Sequence, residues 1–578
     1  MNLSYQHVNP TNGGGSYLLR LRDGVSRNTA CVLVDSGSGV DLDSVLGPDE
    51  YLAAVLLTHS HLDHYGTLAD SLRDGAPVYA SEATANVLED VLTEGGKNYD
   101  LGATDDVLDA LEPLSDWETV FPDVEVRPIP AGHAPGAAGF LVRFHDGNRA
   151  NHLLFTGDFT TRRVAGYPGF PTDLPVGIDA LFVNVSTAPE FEETLSDSLF
   201  TIVERARAGS SVLATASALT GVHYAYLLGH LGDRLGESLP VTLVGQTAKL
   251  YDDLGYDVPN VESVPTFADT EDLLKRGAVT LAGPEIPSEG SASRLFRTIE
   301  NDATATLIQL TGGATDPVTT AACTVYDYEV VNHTSREVID DLVTGFNPIH
   351  VVTGHGPSRV VREYRGRYDE RFVWASTDDR PQTLYADGRW SSPPWLSESA
   401  VQAIRAQDWQ SSGGRFGELV DGDLDVLPAV ERIGDPDLEA EGLDVERFER
   451  RFGGRSDESA TDARPTSPRA SADGGAVASA DGEAVPADGE AVPADDGTAA
   501  LPDDEIAAAS AAAISSDGEA FRREVLDRLD ALDDAVGGRQ VRARVVDGGD
   551  DVTLLRLLGD TDLEHGEELT VTLSADDE

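Results

Sequence analysis

The chain has 578 residues, 40% of them hydrophobic, which is more than one core accommodates and predicts two or three domains. It carries 101 Asp and Glu against 42 Lys and Arg, a formal charge of −59, and its only lysines are Lys97, Lys249 and Lys275. Cys31 and Cys323 are the only cysteines, which excludes a disulfide framework and a thiolate zinc module. No apolar run is long enough to span a bilayer, so a soluble cytoplasmic protein is expected. Such a charge repels itself unless salt screens it. At molar salt the Debye length falls to about 3 Å, so the acidic surface does not exclude a nucleic-acid ligand.

In chain order, "GGSYLLRLRD" and "TACVLVDSGSG" predict two strands joined by a polar turn, the second ending at Asp35 and a Gly-rich loop. Strand-like and helix-like segments alternate from there to about residue 375, an α/β pattern. Strands are expected at 152–159, 180–187, 211–218, 305–313 and 348–356, and helices in "SLFTIVERARAG" and "SREVIDDLVTGF". After about 455 the composition shifts to Ala, Asp, Gly, Ser and Pro, with the near-repeat "ADGEAVPADGEAVPADDG", which reads as a disordered linker. Beyond it, Phe521, Val525, Leu529, Leu532 and Val536 recur at helical or heptad spacing, predicting a packed helix or a dimerising coil. The strand-like "RQVRARVV" and "DVTLLRLL" follow.

The chemistry gathers at strand exits. "LLTHSHLDHYG" brings His59, His61, Asp63 and His64 together directly after the apolar "YLAAVLL". Histidines two apart at such an exit can bind one metal, while Asp63 and His64 point elsewhere and suit a second. Partners sit just past other strands: His133 in a Gly-rich turn, Asp158 in "HLLFTGDFT" and His355 in "IHVVTGHGP". Six imidazole or carboxylate ligands with Asp158 as a shared bridge would hold two metals without thiolates.

The ordered series Asp35, "HSHLDH", His133 and Asp158 resembles the core motifs of the metallo-β-lactamase fold, two sheets sandwiched between helices. "FTGDFTTRR", a strand ending in "VST", about 130 intervening residues and then "NHTSREVIDDLVTGFNPIHVVTGHGPSRVV" resemble the β-CASP nucleases. The likeness runs from about residue 3 to 375 and is greatest to RNA-cleaving members of the cleavage-and-polyadenylation and RNase J types. The composition resembles that of proteins from salt-loving archaea. The resemblance implies an α/β fold, an αββα sandwich with an inserted α/β β-CASP domain, to which composition and spacing add a disordered acidic linker and a small C-terminal α+β module. The expected boundaries are 1–190 and 322–380 for the two parts of the core and 191–321 for the insertion. An extension of uncertain kind follows at 381–454, then a linker at 455–515 and the module at 516–578.

Carried over residue by residue, the resemblance assigns His59, His61, His133 and Asp158 to one metal, and Asp63, His64, Asp158 and His355 to the other. Asp35 would orient ligands and His333 would protonate the leaving oxygen, so that Asp35, Asp63, Asp158 and His333 form the catalytic set. Mixed His and Asp ligands suit two Zn2+, with Mn2+ as the alternative. The implied activity is hydrolysis of single-stranded RNA. Two other readings stand beside it: a non-catalytic metal-binding subunit partnering an active paralogue, or a small-molecule metallo-hydrolase. A homodimer or paralogous β-CASP subunit is the expected protein partner, and no membrane.

The chain departs from the family pattern in three places. Val185 stands where an acidic residue before "ST" would hold the general-acid histidine, and strand alternation points the preceding Asn184 to the opposite face. That leaves His333 poorly oriented. The family's Gly-Arg is Gly221-Val222 here, and its Ser-Gly-Met loop is replaced by "GPEIPSEG", both ordinarily facing the cleft. Substrate contacts are expected from Arg359, Arg362 and Arg365, with Arg367, Tyr364 and Tyr368 nearby, for phosphate pairing and base stacking. A solvated helix face paired with Glu363, Asp369 and Glu370 is the alternative.

Overall fold

The structure, a computed structural model, describes residues 1–10, 14–22, 28–236, 238–313, 316–375, 377–412, 427–453, 542–547 and 553–558. The chain divides into two units, Met1–Asp462 and Ala463–Glu578. In the second unit Arg542–Asp547 and Thr553–Leu558 pair antiparallel, the first running one residue past the segment expected to be a strand and the second within its own. The expected linker at 455–515 and the helix through Phe521 and Val536 lie outside the described residues.

Within the first unit two sheets carry the sandwich. One has eight strands, ordered in space as Arg389–Trp390, Gln382–Ala386, Asn2–His7, Tyr17–Arg22, Thr29–Val34, Glu50–Leu56, Val78–Ser81 and Leu111–Leu114. The other has seven: Phe372–Trp374, His350–Gly354, Ala180–Asn184, Arg149–Phe155, Ala138–Asp146, Val124–Pro130 and Glu118–Phe121. Side chains alternate across each strand, so one face of each sheet builds the shared core and the other packs on helices. Val32 and Val34 join Phe140, Phe155 and Phe182 between the sheets, while Cys31 and Leu33 turn toward Val87, Leu88 and Val91 of the helix Glu82–Gly95. Both cysteines are buried and free, and burial pushes the Cys31 thiol up to about 12.

A third sheet comes from the inserted residues, in the order Val261–Val264, Val241–Val244, Val279–Ala282, Val212–Thr215, Thr306–Thr311 and Thr324–Glu329, every pair parallel. Parallel pairing demands crossovers, which the helices Phe191–Arg207, Ala218–Arg234, Gln246–Asp253 and Gly290–Ile299 help to supply. The last strand lies past the expected boundary at 321, because Thr324–Glu329 pairs along its whole length with Thr306–Thr311.

What positions the site is where the insertion begins and ends. Ala180–Asn184 and His350–Gly354 are parallel neighbours, with Asn184 opposite Gly354. Residues 185–349 therefore leave the second sheet at the end marked by Asn184 and Gly354, where the strands ending at Val34, Leu56 and Phe155 also terminate, and rejoin it at the opposite end, where His350 pairs with Ala180. The extension is part of the same body. Gln382–Ala386 pairs with Asn2–His7, and Leu427, Leu438, Leu443, Val445, Phe448 and Phe452 are buried in the helix-side core. No helix among the described residues is long and apolar enough to cross a membrane.

Phe155 and Phe182 stack at 4.1 Å between the sheets, and Tyr5 meets Phe182 edge-on at 5.4 Å. Replacing Phe182 by alanine is expected to cost about 3–5 kcal/mol of folding stability, read from denaturant unfolding in high KCl.

Candidate metal centre

Each expected ligand follows a strand exit, and the structure brings all seven to one place. Ligand atoms of His59, His61 and His133 lie within 4.8 Å of one another, and so do those of Asp63, His64, Asp158 and His355. His61 Nδ1 is 3.1 Å from His59 Nε2 and 3.0 Å from His133 Nε2. Asp158 reaches both groups. Its Oδ2 is 3.9 Å from His59 Nε2, 3.8 Å from His133 Nε2 and 3.4 Å from His64 Nε2, and its Oδ1 is 3.2 Å from His355 Nε2. Asp63 is the open member, with 59% of its side chain exposed.

One carboxylate orients a histidine in each group. Asp35 Oδ1 accepts the Thr58 backbone N–H at 2.8 Å, and its Oδ2 accepts both the Thr58 hydroxyl and His64 Nδ1–H, each at 2.8 Å. With its proton committed to Asp35, Thr58 Oγ1 accepts from His59 Nδ1–H at 3.0 Å. His59 and His64 are thereby held with Nε2 turned inward. His133 donates from Nδ1 to the Asn332 carbonyl at 2.7 Å, which leaves its Nε2 inward too. Asp35 and His355 both take left-handed backbone, at φ 57° and 51°, a conformation non-glycine residues adopt mainly where surroundings impose it. Gly37 permits the approach of Asp63: a Cβ there would lie 1.7 Å from the Asp63 carbonyl oxygen.

The donor set fits a pair of divalent cations. The two nitrogen–nitrogen distances from His61 Nδ1, 3.1 Å and 3.0 Å, approach the roughly 3.3 Å edge of a tetrahedron with ~2.0 Å metal–nitrogen bonds. Burial holds His59, His61 and His133 below the usual imidazole range, so they are neutral ligands near neutral pH. At the other group burial pulls His64 down, but Asp63, Asp35 and Asp158 outweigh it and hold the ring well above that range. His355 is raised the same way by Asp158. That end of the cleft attracts positive charge, and the fully buried His64 Nε2 has no hydrogen-bond partner of its own.

His333 stands beside both groups, with Nε2 3.3 Å from Asp158 Oδ2. Here the structure corrects the expectation about Val185. Asn184 and Ser186 are the residues that face the site, and Val185 is buried in the helix-side core. Asn184 Nδ2 donates to Asp158 Oδ1 at 3.0 Å, and Ser186 Oγ bonds His333 Nδ1 at 2.8 Å. The expectation had the alternation of this strand one residue out of phase. His333 is therefore held, by a hydroxyl in place of a carboxylate. Sequence reasoning also missed Thr58, Ser186, Asn332 and Arg162. Thr58, Asn332 and Arg162 are adjacent or close to recognised candidates, and Ser186 lies in the "VST" that ends its strand; those positions were the available signal.

The substrate contacts divide. Arg359 and Arg362 are exposed, with Arg359 Nε 3.4 Å from Glu363. Arg365 is committed elsewhere, donating from Nε and Nη2 to the Ala375 carbonyl and lying over the Trp395 ring. Arg367 pairs with Asp340, Tyr368 donates to the same carboxylate, and Tyr364 is buried. These contacts, with Ala375, Trp395 and Asp340, are not those of the solvated helix face expected as the alternative, which the Arg359–Glu363 pair matches. Val222 is wholly buried in its helix. In "GPEIPSEG", Glu285 accepts from Gly312 N at 2.9 Å and Glu289 from Asn98 at 3.4 Å. Lys249 bridges to Asp90 of the core at 2.9 Å.

An αββα sandwich with this donor cluster at one edge defines a divalent-metal-binding protein of hydrolase type. Residues 13–186 match the family model described as Metallo-beta-lactamase superfamily. A probable metallo-hydrolase, M6_Spy0554 of Streptococcus pyogenes serotype M6, is 30% identical over 191 residues, covering 30% of this chain and 75% of that protein. The chain belongs to the metallo-beta-lactamase superfamily. It is also similar to transcription termination factor FttA of Methanosarcina mazei, 31% identical over 151 residues, covering 22% of this chain and 23% of that protein. Ribonuclease TTHA0252 of Thermus thermophilus is 30% identical over 214 residues, covering 34% of this chain and 48% of that protein. The match thus spans less than half the length of either of these two relatives.

Two expectations follow from the geometry. Asp35→Ala should weaken metal affinity about 10–100-fold, measured by chelator competition, because both His59 and His64 lose their anchor. Val185→Glu should lower the melting temperature, since it places a carboxylate in an apolar core, and should leave His333 no better held.

Proposed function

We propose that the chain is a two-zinc ribonuclease of the β-CASP group that hydrolyses phosphodiester bonds in single-stranded RNA. The observation that carries this reading is His333. It is anchored through Nδ1 on Ser186, with Nε2 directed at the cleft where the two donor groups share Asp158. The similarity to ribonuclease TTHA0252 and to FttA supports it. Manganese is the alternative metal.

A pair of divalent ions in this donor set supplies Lewis acidity, lowering the pKa of a water and offsetting phosphodiester charge. Hydrolysis adds the oxygen of water to phosphorus and breaks the bond to the departing nucleotide oxygen. His333 gives its Nε2 proton to that oxygen and regains one from solvent. Ser186 fixes the ring so that Nε2, and not Nδ1, faces the leaving group. Asp158 holds His333 and His355 on its two oxygens, keeping acid and ligand in fixed relation. The exposed Asp63 marks the side from which a strand can enter, and the exposed Arg359 and Arg362 are the guanidinium groups offered to phosphates. The net charge of −59 suits a cytoplasm at high salt, where screening lets RNA approach. The proposed organisation is a metallo-β-lactamase core interrupted by a β-CASP domain, with a homodimer or paralogous subunit as partner.

The test is cleavage of end-labelled single-stranded RNA and DNA in high KCl with zinc or manganese. Asp158→Ala and His355→Ala should abolish RNA cleavage, and His333→Ala should lower it about 10²–10⁴-fold while metal stoichiometry is kept. Equal cleavage by the parent and these variants would mean a contaminant, and the reading would fall.

A further inference from the structure

The segment 427–453 has no part in the chemistry above, yet it lies against the loop that leaves Asp158. Glu441 is fully buried. Its carboxylate accepts the backbone N–H of Ala165 at 2.7 Å and of Gly166 at 2.8 Å, and takes a third hydrogen bond, at 2.8 Å, from Nε2 of His223 in the inserted domain. A charge can be buried this deeply only if its oxygens are satisfied. The loop it grips is unusual, because Ala165 has left-handed backbone at φ 49° and is followed by Gly166 at φ 85°. Neighbouring bonds secure the same loop. Arg163 N donates to the Ala440 carbonyl, Ile433 N to that of Gly166, and the Tyr256 hydroxyl to that of Ala165.

The next residue touches the active-site side. At Gly442, φ 92°, a Cβ would lie 3.0 Å from Arg162 Cδ. Arg162 is three and four residues from the amides that Glu441 holds. Its Nη2 donates to Asn332 Oδ1 at 3.1 Å and to the His333 carbonyl at 3.0 Å. Asn332 then clamps the His133 turn. Its Nδ2 donates to the carbonyls of Gly132 at 3.2 Å and His133 at 2.6 Å, and its own carbonyl takes the His133 Nδ1 proton.

We propose that residues 427–453 are a strap that sets the orientation of His133 and His333 through Arg162, with Glu441 and Gly442 as positioning residues. The effect on His333 as an acid rests on the ribonuclease reading. The effect on His133 as a ligand does not.

The experiment uses the full chain loaded with Co2+, comparing the parent with Gly442→Ala, Glu441→Ala, Glu441→Gln and Arg162→Lys. The cobalt absorption bands should shift in Gly442→Ala, Glu441→Ala and Arg162→Lys with stoichiometry unchanged. Glu441→Gln should lie closer to the parent, since an amide oxygen still accepts from the loop. In zinc-loaded protein kcat on RNA should fall about 10–100-fold in the three shifted variants with KM unchanged. If spectra and kcat hold in every variant that folds while only melting temperature drops, the strap is packing alone and the proposal is overturned. Should Gly442→Ala not fold, Arg162→Lys and Glu441→Gln decide the matter. If the parent cuts no nucleic acid but the bands shift as described, the strap stands and the ribonuclease reading falls.

Discussion

Asp158 is the group on which the arrangement turns. It is nearly inaccessible to water, and leaving such a carboxylate ionised without compensation would cost several kcal/mol. Burial pushes its pKa up, but His355, His333 and His64 overcome that and hold it well below the ordinary carboxylate range. Nearly every other feature of the site serves this one charge. Five histidines approach it within 4 Å, and Asn184 adds an amide donor. Divalent cations meet the same demand with more charge, which is why the donor set suits metals and not merely a proton network.

The fold delivers those groups because strand ends coincide. The strands ending at Val34, Leu56, Phe155, Asn184 and Gly354 terminate along one edge, so residues far apart in sequence exit beside one another. Rigid pairing in both sheets fixes the backbone up to the last paired residue. Short exits then need few side-chain degrees of freedom to reach their partners. Asp35 and Thr58 remove most of what freedom is left by anchoring the outer nitrogens of His59 and His64.

Much of this was legible in the sequence. The candidate ligands His59, His61, Asp63, His64, His133, Asp158 and His355 announce themselves as imidazoles and carboxylates just past apolar runs, and Asp35 by its place in the same pattern. What was not legible depends on phase and on distance. Whether Asn184 or Val185 turns inward follows from the pairing of Asn184 with Gly354, a contact between residues that only the folded sheet brings together. The fate of Arg365 and Arg367 turns on Ala375 and Asp340, which sequence spacing does not identify as partners. Glu441 was hidden in another way. In a chain with 101 acidic residues, one carboxylate in "DPDLEAEGLD" looks like surface, and only its burial sets it apart.

The adjacency of Ala180–Asn184 and His350–Gly354 also orders events in time. The strand that supplies His355 is made only after all of residues 185–349, so a chain emerging from synthesis holds six ligands long before the seventh. Its second sheet meanwhile exposes an unpaired edge along Ala180–Asn184, the kind of surface that recruits stray strands. The third sheet, whose parallel pairs come from residues 212–329, can fold inside that interval, because all its strands are already in hand. Arrival of His350–Gly354 covers that edge and completes the donor set in one step, which ties assembly of the site to the growth of the second sheet.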